Sequence, residues 1–189
     1  MAPLLSVFPS THIVGLSLAG FWLASATNIS PFNMIPNLEH SKLEPATRAP
    51  LYGHLFFARG RPVFIVTALG GGAAFLAAYF TRPEDTSVLH SRALLAAAGS
   101  LLIAVPHTIV WMVPVYKALA DVNVSGTEVQ LKGKQTISST VILADGRIER
   151  WEGLMRRFYI GNSIRLLFYA TAYALGLYGL ASAKIISVV

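Results

Sequence analysis

The sequence predicts an all-α integral membrane protein with four transmembrane helices and a long polar connection between the third and the fourth. Of its 189 residues, 54% are hydrophobic and only 13% are charged, whereas a soluble domain carries roughly a quarter charged residues. The apolar residues gather into four blocks, each long enough to supply the roughly 20 residues that a helix needs to cross the hydrocarbon core. We therefore expect one integral membrane domain, residues 1–189, in contact with the lipid bilayer.

The first two predicted spans cover about residues 11–29 and 62–80. Asn28 and the prolines that follow it are typical of a helix end. The second span begins at Pro62, because a proline in the first helical turn removes no intrahelical hydrogen bond. Pro83 follows the end of this span.

The last two predicted spans cover about residues 93–119 and 158–186. Pro106 and Pro114 lie inside the third span, where each removes a helical hydrogen bond, so we expect a kinked helix. Apolar residues also recur at helical spacing over residues 148–155, which predicts an amphipathic lead-in to the fourth span.

The connection between the third and fourth spans, residues 121–157, contains two short apolar runs, residues 129–131 and 140–143. Gly133 and the Asp145-Gly146 pair are turn signals beside these runs. The pattern is compatible with a small β-hairpin.

Charge and composition exclude several function classes. The net charge of +6 comes from basic residues scattered through the connections, without the aromatic residues of a nucleic-acid-binding face, so anionic lipid headgroups are the expected counterpart. Four basic residues lie in the first connection and six in the third, against two in the second. The positive-inside rule therefore places both termini on the side away from the cytoplasm.

The sequence shows no metal-binding motif. It contains no cysteine, which excludes disulfides, thiolate-bound haem and cysteine-held iron–sulfur clusters. His12, His54, His90 and His107 come from separate segments and have no HxxH or HExxH spacing. Nucleotide-binding loops and hydrolase signatures are also absent from the sequence. The sequence therefore assigns no residue to a metal site, although metal binding by dispersed histidines stays open.

Arg165 is the polar residue that lipid should reject most strongly. It lies about two turns into the fourth span. None of the four predicted spans contains an Asp or Glu that could pair with its charge. Asn162 precedes it by three residues and projects from the same helical face, so both side chains can face one cavity and bind an anionic or carbonyl-bearing ligand. The alternatives are an arginine that reaches the interface and an asparagine that joins two helices by hydrogen bonds.

His107, Trp111 and Tyr116 lie near the two prolines of the third span. His107 and Trp111 are four residues apart and share a helical face, so they would line an aromatic cavity if that face points inward. His107 is then a candidate general base, the alternative being a structural hydrogen-bonding histidine. Trp111 and Tyr116 could equally anchor the span at the membrane interface.

Three short motifs follow one another on three of the four spans. Residues 57–61 read Phe-Ala-Arg-Gly-Arg, residues 105–114 contain Val-Pro-His-Thr and Met-Val-Pro, and residues 162–165 read Asn-Ser-Ile-Arg. With these motifs the chain resembles, over nearly its whole length, a family of small four-helix membrane proteins that includes the anthrone oxygenases of fungal aromatic polyketide pathways. It departs from the family pattern at Val115-Tyr116, where Thr-Asn is usual, and at Phe158, where Trp is common.

The resemblance implies a membrane-embedded oxygenase that oxidises an anthrone to the anthraquinone with molecular oxygen and without an organic cofactor. It implies a hydrophobic aromatic substrate and a multi-pass protein of the endoplasmic reticulum or another endomembrane. On this interpretation Arg165 and Asn162 bind the substrate oxyanion, and His107 is the base. Three further residues would contact the substrate: Thr108, Trp111 and Tyr116.

Two other classes of function remain open from the sequence. The first is a membrane isomerase or cyclase of a related natural product, which would use the same acid–base groups without consuming oxygen. The second is a non-catalytic membrane subunit or transporter, in which Arg165 and Asn162 only hold helices together.

Overall fold

Four long apolar helices contain most of the residues that the computed structural model describes, which are 2–29, 45–54, 61–122, 140–143 and 148–182. In chain order the elements are α1 (Ala2–Ile29), α2 (Pro45–His54), α3 (Arg61–Thr81), α4 (Val88–His107), a π-helix (Thr108–Met112), α5 (Val113–Ala120), β1 (Thr140–Ile142), β2 (Ile148–Arg150) and α6 (Trp151–Ser182).

The four predicted spans are confirmed as helices that are long and apolar enough to cross a membrane. The qualifying segments are Val7–Ser25, Arg61–Thr81, Val88–Ala120 and Trp151–Ser182. The third starts earlier than residue 93, because the Ser87 hydroxyl accepts a hydrogen bond from the His90 backbone N–H at 3.2 Å and caps the helix there.

The third span changes its hydrogen bonding between its two prolines. The Val113 N–H donates to the Thr108 carbonyl, five residues back, which defines the π-helix. Pro114 has no N–H, and its ring would collide with the carbonyl four residues earlier. The interruption that the prolines predict is therefore present as a five-residue π-helix, Thr108–Met112.

Helix α2 was not among the helices predicted from the sequence, in which polar and proline-containing sequence follows the first span. Pro45 suits the first turn of this helix, and Ala49 is fully buried. At Gly53 an added Cβ would overlap the backbone of Ala120, so α2 packs closely against α5. Tertiary packing, rather than local propensity, stabilises this helix.

The connection before α6 contains a small antiparallel hairpin. Thr140 pairs with Arg150, and Ile142 pairs with Ile148. The prediction placed Ile148 in a helical lead-in, which is wrong for this residue, since α6 begins at Trp151. The lead-in from Trp151 onwards is helical as predicted. The apolar run 129–131 and the Asp145-Gly146 turn lie outside the described residues.

The chain divides into two compact units. Unit 1 contains Met1–Ala26, Phe64–Pro106 and Arg165–Val189, and unit 2 contains Thr27–Val63 and His107–Ile164. The expectation of one integral membrane domain stays a prediction.

The core of unit 1 takes residues from all four long helices. Trp22 of α1 stacks on Tyr169 of α6, with ring centroids 5.9 Å apart, and meets Phe64 of α3 edge-on at 5.2 Å. The Trp22 indole N–H donates to the Thr67 hydroxyl, which satisfies the only donor of that ring. Leu101 of α4 is buried in the same cluster.

The core of unit 2 joins α2, the end of the third span, the hairpin and the start of α6. Its buried residues include Ala49, Met112, Tyr116, Leu143, Leu154 and Phe158. Of the predicted site residues, Tyr116 belongs to this core.

Candidate functional site

The sequence-predicted site residues fall into the two units. Unit 2 contains His107, Thr108, Trp111, Tyr116 and Asn162, and unit 1 contains Arg165. Asn162 and Arg165 nevertheless belong to one continuous helix, α6, three residues apart.

Tyr116 and Asn162 form a buried polar pair in unit 2. The Tyr116 hydroxyl donates to Asn162 Oδ1 at 3.4 Å, a long hydrogen bond. Asn162 Nδ2 donates to the Phe158 carbonyl at 3.0 Å, and the Tyr116 and Phe158 rings meet edge-on with centroids 5.9 Å apart. Asn162 is only 5% exposed. These contacts fix the plane of its amide, with the oxygen and nitrogen assigned from the hydrogen bonds.

His107 and Trp111 stack at the π-helix. Their ring centroids are 6.4 Å apart, and their planes lie within 12° of parallel, which confirms that the four-residue spacing puts them on one face. His107 is half-buried, whereas Trp111 is 45% exposed. Thr108, the first residue of the π-helix, is fully buried.

Gly161, which was not among the predicted site residues, brings α6 against the π-helix. A Cβ at this position would overlap Met112 Sδ and would lie 2.8 Å from Trp111 Cδ1. Because of this close approach, the position of Trp111 relative to α6 is fixed, and Asn162 is the next residue of α6 after Gly161. A glycine directly before a predicted site asparagine is the signal that could have found it.

Arg165 is buried in unit 1 with an aromatic partner. It is 6% exposed, and its guanidinium carbon lies 5.2 Å from the centroid of the Phe64 ring. A guanidinium at this distance from an aromatic face is attracted by the ring quadrupole. The cavity that Arg165 and Asn162 were expected to share stays a prediction.

Unit 2 also has an open groove of about 590 Å³ at the start of α6, lined by Trp151, Glu152, Met155, Arg156, Tyr159 and Ile160. None of the predicted site residues lines it. The Arg48 guanidinium lies 5.6 Å from the centroid of the Trp151 ring beside this groove. From the sequence, Trp151 and Met155 are only apolar positions of a predicted helix. The groove depends on tertiary contacts, which a local pattern does not reveal.

Histidine positions bear on the question of metal binding. Within the part of the chain that the structure describes, no group of three or more His, Asp or Glu residues could hold a metal ion. His54 is exposed on α2. His12 and His90, which the sequence treated as separate, meet in unit 1 with ring centroids 5.9 Å apart.

Comparison with known proteins supplies the family. The family model described as anthrone oxygenase matches residues 54–175, nearly two thirds of the chain. The matched segment contains all six predicted site residues, from His107 to Arg165. Residues 57–60 of the first motif also fall within it but lie outside the described residues. The search of curated proteins and the search of solved structures returned no match.

Proposed function

The chain belongs to the anthrone oxygenase family, and on this premise we propose that it oxidises an anthrone-type aromatic polyketide to the anthraquinone with molecular oxygen. Membership of the family supports an oxygenase-type function. The match over residues 54–175 carries the proposal, and it includes every residue to which we assign a role.

The proposed reaction balances as anthrone plus O₂ giving anthraquinone plus water. A base removes a proton from the methylene carbon, which is acidified by the carbonyl on the opposite side of the central ring, because the two flanking aromatic rings conjugate the resulting anion with the carbonyl oxygen. The delocalised anion forms a carbon–oxygen bond with O₂, and the resulting peroxide takes up a proton. Loss of the remaining hydrogen on that carbon as a proton, with cleavage of the O–O bond, leaves the new carbonyl and releases water. The substrate supplies the electrons, so no external reductant enters the balance.

We assign the protein two tasks in this sequence. His107 accepts the methylene proton, and its stacking on Trp111 sets the plane of the imidazole. Arg165 and Asn162 stabilise the oxyanion that forms on the ring carbonyl as the proton leaves. Tyr116 and the Phe158 carbonyl orient the Asn162 amide for this role.

The membrane environment supports the choice of substrate class. A flat, apolar tricyclic ketone partitions into the bilayer, and the long helices expose apolar side chains to it, including Val66, Val110 and Leu167. Burial of Arg165 and Asn162 strengthens their interaction with a developing oxyanion, because the local dielectric is low. The absence of an organic cofactor and the endomembrane location are parts of the same proposal.

Oxygen uptake by the purified protein tests the proposal. Anthrone is added to the protein in lipid nanodiscs. An oxygen electrode records the uptake of O₂, and chromatography measures the anthraquinone that is formed. Because anthrones oxidise slowly in air, the control is the double variant Asn162→Ala/Arg165→Gln in equal amounts. We expect wild-type protein to consume one O₂ per anthraquinone at a rate well above this control.

The same experiment separates the other classes of function. Conversion of a related polyketide without oxygen uptake would indicate an isomerase or cyclase. Equal rates for the wild type and the double variant, across several anthrones, would remove the catalytic role and favour a membrane subunit or transporter.

A further inference from the structure

Two histidines from different spans meet at the centre of unit 1. His12 of α1 is fully buried, and His90 of α4 is 2% exposed. Their ring centroids are 5.9 Å apart, with the planes at 80°. His12 and the neighbouring carbonyl of Gly176 lie outside the segment that matches the family model, and neither histidine has a part in the proposed oxidation.

A backbone carbonyl fixes the tautomer of His12. The His12 Nε2 atom lies 2.8 Å from the Gly176 carbonyl oxygen. Because a carbonyl can only accept, Nε2 carries the hydrogen, and Nδ1 of the neutral ring presents a lone pair. Metal-binding histidines typically donate their other N–H to a backbone carbonyl in this way.

Two imidazole nitrogens in this cluster are buried without a hydrogen-bond partner in the described part of the chain. They are His12 Nδ1 and His90 Nε2. A buried polar atom without a partner is costly, so two of them in adjacent rings indicate a ligand that both can bind.

Aromatic rings pack around the two histidines, and the Arg82 guanidinium is close enough to act on His90 electrostatically. The Phe8 ring lies 5.8 Å from each imidazole, centroid to centroid, and Phe75 lies 5.9 Å from His12. A Cβ at Gly179 would lie 3.1 Å from His12 Cε1 and 3.8 Å from His90 Nε2. The same Cβ would lie 3.5 Å from His12 Nε2. Gly179 therefore lets α6 contact both imidazoles at a position where a side chain would be crowded.

We propose that His12 and His90 form a two-coordinate binding site for monovalent copper, with His12 Nδ1 and His90 Nε2 as the ligands. Neutral imidazole is a good copper ligand, and a d¹⁰ monovalent ion accepts two ligands in a linear arrangement. Zn²⁺ needs four ligands and Ca²⁺ or Mg²⁺ six or more, largely oxygen, whereas no third His, Asp or Glu joins this pair within the described residues. A single positive charge is also less costly than a double one in an apolar interior.

Copper binding is tested on tag-free protein, purified in detergent without oxygen, in competition with a chromogenic Cu(I) chelator. We expect the wild type to withdraw one Cu(I) per chain from the chelator. His90→Gln and His12→Gln should lose this copper. His54→Gln, which removes an exposed imidazole of α2, should retain it.

Two glycine variants test the position of the site while keeping both imidazoles. Gly179→Ala places a methyl group beside both rings and should weaken Cu(I) binding at least about tenfold. Gly99→Ala on α4, where an added Cβ meets nothing within 4 Å, should leave the affinity unchanged.

X-ray absorption at the copper edge identifies the copper ligands in the wild type, so the proposal can be tested even if a glutamine variant fails to fold. Two imidazole nitrogens and no other donor would support the proposal. The proposal is overturned if the wild type takes no Cu(I) from the chelator. That result is expected if an ordered water, instead of copper, lies between the two rings. Sulfur or oxygen donors, or full retention of copper by folded His90→Gln, would also overturn it.

Discussion

Arg165 differs from the other arginines of α6 in its surroundings. Arg156 and Arg157 are exposed, whereas Arg165 is buried and lies over the face of Phe64. A guanidinium stays charged in proteins and presents a planar fork of donors. A buried fork of this kind is suited to an oxyanion, which is the charge that the proposed reaction develops.

Replacing Arg165 with lysine keeps the charge and removes the planar fork. If two parallel N–H donors bind the oxyanion, Arg165→Lys should lower turnover of anthrone roughly 100-fold, the usual effect of losing an oxyanion donor. Oxygen uptake measures the turnover, and circular dichroism checks the helix content. The control is Arg92→Lys at an exposed position of α4, which should keep wild-type turnover. Equal turnover in the two variants would reduce Arg165 to a packing role.

Loss of the His107 imidazole should remove the base. His107→Gln keeps a polar side chain of similar reach, and turnover should fall about 10²-fold or more, since general base catalysis typically contributes that much. If His107 is the base, its neutral imidazole is the active form, so the wild-type rate should rise with pH and the variant should lose this rise. His54→Gln is the matched control. An unchanged rate and pH profile in His107→Gln would transfer the search for a base to Tyr116 or an ordered water.

Residue pairs differ in how well the sequence predicted them. The stacking of His107 on Trp111 follows from their four-residue spacing on one helix. The pairing of Tyr116 with Asn162 joins residues 46 positions apart, and no local pattern predicts such a contact. The meeting of His12 and His90 was missed for the same reason, because it depends on how four helices pack.

Among the elements, the π-helix Thr108–Met112 is the one most closely tied to the candidate site. It turns His107 and Trp111 to one face and buries Thr108 and Met112. π-Helical turns are rare and occur frequently at functional sites. Gly161 allows α6 to approach this turn closely, so the two elements hold the site residues of unit 2 in place.

A methyl group at Gly161 should disturb this approach. Gly161→Ala would collide with Met112 Sδ and lie close to Trp111, and we expect a loss of about 1–3 kcal/mol in the free energy of unfolding, as for other overpacked cores. Unfolding in mixed detergent micelles gives this value. Gly153→Ala on the same helix meets nothing within 4 Å and should be neutral or stabilise by up to about 1 kcal/mol. Similar values for the two variants would contradict a tight contact at Gly161.

The long helices could be predicted from sequence, whereas the short elements could not. Blocks of apolar residues identify membrane helices because the length of a span is fixed by the bilayer. Helix α2 has two prolines and depends on packing of Ala49 and Gly53, which a local pattern does not contain. Strand β2 has only three residues, and its residue Ile148 also fitted a helical spacing.

At the scale of the whole molecule, the distribution of basic residues predicts the orientation in the membrane. The first and third connections carry ten basic residues against two in the second, so both termini should face away from the cytoplasm. Because the chain has no cysteine, a single introduced cysteine reports on one position. Gly133→Cys in the third connection should react with a membrane-impermeant maleimide from the cytoplasmic side only.

The matched variant for this labelling is Asp85→Cys, at an exposed position of the second connection. It should react from the opposite side only. If Gly133→Cys and Asp85→Cys each react from the side opposite to the one expected, the predicted orientation is reversed. If both react from the same side, a single span between the two positions is contradicted.

Isotope labelling of the product tests the oxygenase function most directly. The purified wild-type protein converts anthrone under ¹⁸O₂ in ordinary water, and mass spectrometry of the anthraquinone follows at once. The proposed reaction transfers one atom of O₂ to the new carbonyl and the other to water, so the product should carry one ¹⁸O atom, and its rate of formation should exceed that of Asn162→Ala/Arg165→Gln. An unlabelled anthraquinone, or equal amounts of labelled product from the two proteins, would contradict an oxygenase acting through these residues.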